Sequence, residues 1–469
     1  MNKNLFNRAS FLFLLIVLFT SCGPKKQTLD KPEVAPIDPY AKASRLELSS
    51  STQSYVKLVE LGTHNLQTML LIHGLGNNAS KDWYKLVPEL SKRYHVLLLD
   101  LPGFGGSEYN NQHFYTPEYY AKLIDEVASK HLNHKSKPIV VGHSLGGAVA
   151  IKYTAEYQDE VSKLVLLDVA GILQESVFAR YIANFKQNNQ SKSVFKKLAD
   201  SVKRKVNMLT NRFIRSSDAW LNVEEIISSD TKREYLFEIR PDLNAGIGLV
   251  SENFSEEIRA IKVPTLIIWG NQDPVAPLRT AKILNKHIES SELMTIKNSG
   301  HSPMLDSPKK VITIITNWIN SDATSTLQSP ELVFKGNAEC DNQDNKVYSG
   351  QYNIIKISNC DKVTLRNVAA NKIIIDHSIV KVENSTVTQG IAAYDSKLAM
   401  TNVKATGEIG FESISNQLDV AASDFDGLEA AIKFNGVNTV YWSVSSYKSR
   451  DEQINYLHGR EIYKTVTQL

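Results

Sequence analysis

The sequence predicts two folds in series: an α/β unit with a mostly parallel sheet under a helical cap, then an all-β right-handed parallel β-helix. Three observations carry this. Apolar runs "TMLLIHG", "HVLLLD", "PIVVGH", "KLVLLD", "PTLIIWG" and "LMTIK" alternate with amphipathic helical patterns, as buried strands covered on both faces by helices require. Beyond a Ser- and Thr-rich stretch, "SDATSTLQSPE", the helical patterns stop and short alternating strands take over. Those strands repeat: Val363 and Leu365, Val380 and Val382, Leu398 and Met400, Leu418 and Val420, Val440 and Trp442.

A second column keeps step through Ile355, Ile373, Ile391 and Ile409, followed two residues later by Ile357, Ile375, Ala393 and Phe411. Two period-2 strands per turn of about 18 residues, with Asn, Asp or Ser at the corners, are what a parallel β-helix needs to bury each rung against its neighbours. The expected organisation is 1–22 leader, 23–54 flexible tether, 55–322 α/β unit with a cap over about 172–255, and 323–469 β-helix.

The leader reads as a signal peptide: Lys3 and Arg8 precede an apolar run from Phe11 to Phe19. That run is about half of the ~20 residues a membrane-crossing helix needs. Thr20, Ser21 and Cys22 follow, and the segment resembles a bacterial lipobox, which implies lipidation at Cys22. The expected place is therefore the bacterial cell envelope, held by a lipid anchor. With Cys22 set aside, Cys340 and Cys360 remain as a disulfide candidate in an oxidising compartment.

Net charge is only +3, from 53 basic and 50 acidic residues, so nothing global points to nucleic acid. Local charge differs. From Arg180 to Arg215 ten Lys or Arg face one acid, Asp200, which suits either a solvated helical face or an anionic lipid surface. On the same cap, Phe178, Tyr181, Phe185 and Phe195 suit an acyl chain or core packing equally. The pattern "SDFDG" at 423–427 hints at calcium but lacks further ligands and reads as a surface turn.

Chemistry enters at Gly142-His143-Ser144-Leu145-Gly146, a G-x-S-x-G between a strand and a helix pattern. A serine hydroxyl is a weak nucleophile and needs a histidine to take its proton and a carboxylate to orient that histidine. Downstream, Asp273 follows the strand in "TLIIWGNQDPVAP" and His301 follows the next in "LMTIKNSGHSPM". Asp168, also at a strand end, is the alternative acid.

With "LIHGLG" at 71–76 and "DLPGFGGS" at 100–107, residues 60–320 resemble an α/β-hydrolase of the lipase and esterase type. The resemblance implies Ser144 as nucleophile, His301 as general base and acid, Asp273 as orienting acid, and the N–H groups of Leu75 and Leu145 as an oxyanion hole. It implies structural roles for His73, His143 and Asp100, and no metal or organic cofactor. Expected partners are a small-molecule or lipid ester and the membrane. A carboxylic ester is the expected substrate; C–C, amide or thioester bonds, and a non-catalytic binding module, are the alternatives. The β-helix is read as a spacer, stabiliser or binding surface, so a chain ending near Asp322 is expected to keep activity on small esters.

Overall fold

The computed structural model describes residues 42–47, 55–76, 78–132, 136–174, 241–321 and 333–469. Cys22 and the leader, the basic segment with its four aromatic residues, and the linker around 322–332 lie outside them. Among the described residues, no helix is long and apolar enough to cross a membrane.

Eight strands form the first sheet: β1 (Lys42–Glu47), β2 (Tyr55–Leu61), β3 (Thr68–Ile72), β4 (His95–Asp100), β5 (Ile139–His143), β6 (Lys163–Leu167), β7 (Thr265–Gly270) and β8 (Ser291–Ile296). Their order is β1-β2-β4-β3-β5-β6-β7-β8. Strands β3 to β8 run parallel, and β1 and β2 add an antiparallel edge. The tether expected over 23–54 thus ends too late: Lys42–Glu47 pairs with β2 from Lys42↔Glu60 to Glu47↔Tyr55. A six-residue alternation without neighbouring apolar runs gave little signal there.

The central strands are buried on both faces because alternate residues enter opposite cores. Leu70, Ile72, Leu97, Leu99 and Val140 pack with helices α1 (Pro117–His131) and α2 (Leu145–Glu156). Met69, Leu71, Val96, Leu98 and Val141 pack with Val311 and Ile315, which lie on the C-terminal helix of this unit, Pro308–Asn320. Of the cap, residues 172–174 and the helix Pro241–Ser251 are described.

The second unit is all-β, with strands β9 (Ala338–Asp341), β10 (Val347–Ser358), β11 (Val363–Asp376), β12 (Ile379–Val387), β13 (Ile391–Tyr394), β14 (Lys397–Ile414), β15 (Gln417–Ala421), β16 (Asp424–Asn435), β17 (Asn438–Lys448), β18 (Gln453–Tyr463) and β19 (Thr467–Gln468). From β9 to β17 all pairings are parallel. The column read from sequence is a true ladder: Leu365↔Val382, Val382↔Met400, Met400↔Val420 and Val420↔Trp442. Strands β18 and β19 close the unit by antiparallel pairing, a departure from an all-parallel ladder.

The second column slips once. Ile391 faces Phe411, not Ile409, which pairs with Ala430 beside a bulge at Gly407. Two extra residues enter the corner, and the larger Phe411 takes the buried place. Elsewhere the corners repeat a left-handed backbone: Asn367 (φ 53°), Asn384 (48°) and Asn402 (55°), residues that visit this region at low cost. Their amides also stack, Asn402 Nδ2 donating to Asn384 Oδ1 at 2.9 Å. Inside, Ser378, Ser396, Asn416 and Asn438 accept the N–H of the preceding turn, so buried backbone donors at the corners are satisfied. Cys340 and Cys360 are joined as a disulfide. The "SDFDG" pattern is not a surface turn: β16 starts at Asp424, and Ser423 is fully buried.

The two units share a core. Ala421, Ala422, Tyr441 and Val444 pack into the α/β unit's cluster with Ile172, Phe254 and Ile258. At this contact the Asn column is replaced by Ala422 (φ 48°) and Val444 (φ 52°). A β-branched residue there is strained by about 1–2 kcal/mol, which burial of its side chain, about 1.5–3 kcal/mol, offsets. Arg259 donates to the Val444 carbonyl at 3.1 Å, and Gln174 N–H donates to Ser443 Oγ at 2.9 Å. The second unit is therefore not a detached spacer.

Candidate active site

Ser144 sits between β5 and α2 with φ 53° and ψ −117°, a strained turn that lifts its side chain off the sheet. The motif glycines make the turn fit. A Cβ on Gly142 would lie 2.2 Å from the Gly146 carbonyl, and one on Gly146 would lie 2.2 Å from that of Ile72. Ser144 N–H is tied to Leu167 O at 3.0 Å, fixing the turn to β6.

His301, in the loop after β8, has Nε2 at 2.9 Å from Ser144 Oγ and Nδ1 at 2.8 Å from Asp273 Oδ2. Asp273 follows β7 and is oriented in turn: its Oδ1 accepts the N–H groups of Val275 at 2.7 Å and Ala276 at 3.0 Å. The structure thus joins the three residues named from sequence in one hydrogen-bonded line. Such a line can move a proton from hydroxyl to imidazole while a carboxylate stabilises the imidazolium that forms.

Asp168, the alternative acid, lies behind this line. Its ligand atom and those of Asp273 and His301 fall within 4.8 Å of one another. Asp168 Oδ1 accepts Gly270 N–H at 2.9 Å. Burial, and then the neighbouring charge of Asp273, push its carboxyl well above the usual range. It is Asp273, not Asp168, that contacts His301 Nδ1. Both ring nitrogens of His301 are engaged, by Asp273 and Ser144.

Leu145 begins α2, where the first helical N–H groups lack intrahelical partners. Leu75 follows Gly74, whose position is pressed against the turn: a Cβ there would meet Ser144 Cβ at 2.9 Å. The loop that carries Leu75 is therefore held at Ser144.

His143 and His73 are wired into the backbone. His143 Nε2 donates to His301 O at 2.6 Å, and burial, followed by the charge of His301, pushes it down to about 3. His73 Nε2 accepts Leu101 N–H at 2.9 Å, and burial lowers its pKa. Asp100 accepts the N–H groups of Ser80 and Gly106, both at 2.9 Å, and shapes the "DLPGFGGS" turn. Sequence reasoning missed Asp306, whose Oδ2 accepts Gly300 N–H at 2.8 Å and braces the loop of His301. The signal was an acid five residues after that histidine, ahead of a Pro-initiated helix.

Comparison with known proteins agrees with this architecture. Residues 67–308 match the alpha/beta hydrolase fold family. The chain is 28% identical over 317 residues to Lipase 3 of Moraxella sp. (strain TA144), covering 65% of this chain and 95% of that protein. It is 26% identical over 306 residues to 2-hydroxy-6-oxo-6-(2'-aminophenyl)hexa-2,4-dienoic acid hydrolase of Metapseudomonas resinovorans, covering 64% and 97%. Among solved structures, an esterase from Exiguobacterium antarcticum aligns at 19% identity and a TM-score of 0.42, covering 60% of this chain and 100% of that one. With a family match over more than half its length and this strand order around Ser144, the chain belongs to the alpha/beta hydrolase fold family.

Proposed function

We propose that this protein is an envelope-anchored serine hydrolase that cleaves carboxylic esters through an acyl-enzyme. The observation that carries the reading is the line from Ser144 Oγ through His301 to Asp273. In the first step Ser144 Oγ bonds to the ester carbonyl carbon while its proton passes to His301 Nε2. The oxyanion is met by the N–H groups of Leu75 and Leu145. Collapse breaks the C–O bond, and the alcohol leaves with the proton from His301. Water then repeats the sequence against the acyl-serine, releasing the carboxylic acid.

The similarity to a lipase supports an ester substrate, and the lipobox-like segment ending at Cys22 supports a lipid anchor. The parallel ladder from β9 to β17, with its left-handed Asn corners, supports a right-handed parallel β-helix as the second unit. The similarity to a dienoic acid hydrolase favours C–C bond cleavage as the second reading.

A panel of p-nitrophenyl esters of rising acyl length, with and without lipid vesicles, tests the reaction. Ester turnover that needs Ser144 is the expected result, and a full-length folded protein inert toward every ester contradicts it. Cys22→Ala should move the protein from the membrane to the soluble fraction.

A further inference from the structure

A cavity of about 250 Å³ lies at the junction of the two units, beside the turn that carries Asp273. One wall comes from the helix Leu278–His287, through Arg279 and Lys282; the other comes from β11, β12 and β14, through Arg366, Lys381, Glu383 and Thr401. Register builds the second wall: Arg366↔Glu383 and Glu383↔Thr401 are neighbours across adjacent strands.

The charges do not cancel. Glu383 serves two cations at once, Arg366 at 2.9 Å and Lys381 at 2.6 Å. Arg279 pairs with Asp419 at 2.7 Å, and Lys282 has no ion-pair partner among the described residues. Four cations, Arg279, Lys282, Arg366 and Lys381, therefore face three carboxylates, Glu383, Asp419 and Asp273, leaving an excess of one positive charge. The Asp273 carboxylate points its hydrogen bonds to His301 and to the N–H groups of Val275 and Ala276, so the cation on this wall without an ion-pair partner among the described residues is Lys282.

Two donors on the cavity residues are idle. Thr401 is only 3% exposed, and its hydroxyl has no hydrogen-bond partner. Arg279 Nε is likewise buried and unpartnered, although its two Nη groups are bound to Asp419 and the Met400 carbonyl. Idle donors in a buried place cost about 1–3 kcal/mol each unless a ligand or water accepts from them. Positive excess and unpaired donors around one cavity describe an oxyanion site.

We propose that this junction cavity binds a small phosphate group, with Lys282 as the charge partner and Thr401 Oγ1 and Arg279 Nε as hydrogen-bond donors. The group can arrive free or as the headgroup of an anionic lipid. Once bound, it links the turn of Asp273 to the second unit. The site goes beyond the ester-hydrolase reading, and its test does not need turnover.

Calorimetry on the full chain, at constant ionic strength in chloride, with inorganic phosphate, glycerol 1-phosphate and phosphatidic acid vesicles as separate probes, decides the matter. Saturable 1:1 binding of at least one probe is expected, weakened at least tenfold by Lys282→Ala and several-fold by Thr401→Val. Binding of the soluble probes marks a free phosphate site, and binding of vesicles alone marks a lipid headgroup. Lys282 is partly exposed, so its substitution leaves the fold intact; circular dichroism verifies this. No saturable binding of any probe, or equal binding by wild type and both variants, overturns the proposal.

Discussion

Arg279 and Asp419 join the two units at 2.7 Å, with the Arg279 side chain also capping the Met400 carbonyl at 2.8 Å. The arginine lies six residues after Asp273, so the turn that orients the histidine is pinned from outside by the all-β unit. Removing Asp419 leaves a largely buried guanidinium half unpaired, which costs about 1.5–3 kcal/mol. Thermal unfolding of Asp419→Ala should show a lowered Tm, with a smaller loss of turnover than Asp273→Asn.

Truncation after residue 321 should destabilise the protein. Ile172, Phe254 and Ile258 are covered by Ala421, Tyr441 and Val444, and the exposed apolar surface would have no substitute. The sequence alone suggested an independent hydrolase; the shared core argues otherwise. A soluble truncated chain with an unchanged Tm and full ester turnover would contradict the shared core.

The two carboxylates at the site should separate cleanly. Asp273→Asn forces the wrong arrangement at His301 Nδ1 and should lower kcat by about 10⁴. Asp168 is pushed toward its neutral form by burial and by Asp273 and makes its hydrogen bond to Gly270 rather than to His301, so Asp168→Asn should cost less than tenfold. Equal losses in kcat would reverse the assignment.

Acid stability follows from three histidines, His143 buried and His287 and His458 half-buried, the latter two each with one shielded, unpartnered ring nitrogen. Burial, joined by the charge of His301, pushes His143 to about 3. Burial, joined by Arg259, pushes His287 to about 4, and burial alone pushes His458 to about 4. Each folded-state pKa is below the unfolded value near 6.5. The unfolded chain therefore binds more protons, and stability present above pH 6.5 is lost as pH falls toward 4 and then 3. Each group adds at most about 1.4 kcal/mol per pH unit. Urea midpoints from pH 7 to pH 4 should fall, and His287→Gln should reduce proton uptake on unfolding by about one. A flat profile would count against histidines held neutral at these three positions.

The disulfide between Cys340 and Cys360 closes a loop at the open end of the ladder, with 20 residues of separation. Such a link is worth about 3 kcal/mol through the unfolded chain. Reduction, or Cys360→Ser, should lower the midpoint of the all-β unit, as followed by the fluorescence of Trp442 in its core.

Much of this architecture was legible because it is local or periodic. The strand ends before Ser144, Asp273 and His301 carried turn residues that the sheet converts into one site, and the first apolar column fixed the ladder register. The rest depended on tertiary contact. Nothing near Asp168 in sequence announces that Asp273 will sit beside it and, after burial, raise its pKa. The slip from Ile409 to Phe411 comes from a bulge at Gly407 that period counting overrides. Docking did leave a trace: the Asn corners give way to Ala422 and Val444, apolar residues in a backbone that disfavours them, where the other unit covers them.

Ser144 acts as a nucleophile only if His301, 2.9 Å from its Oγ, takes its proton. Labelling of the purified full-length protein with a fluorophosphonate probe, which loses fluoride when a serine oxygen attacks its phosphorus, reads this directly. The wild type should label stoichiometrically at Ser144, Ser144→Ala should not label, and labelling of His301→Ala should be slower by several orders of magnitude. A wild type that stays unlabelled, or a Ser144→Ala variant that labels as fast, would contradict that role for Ser144.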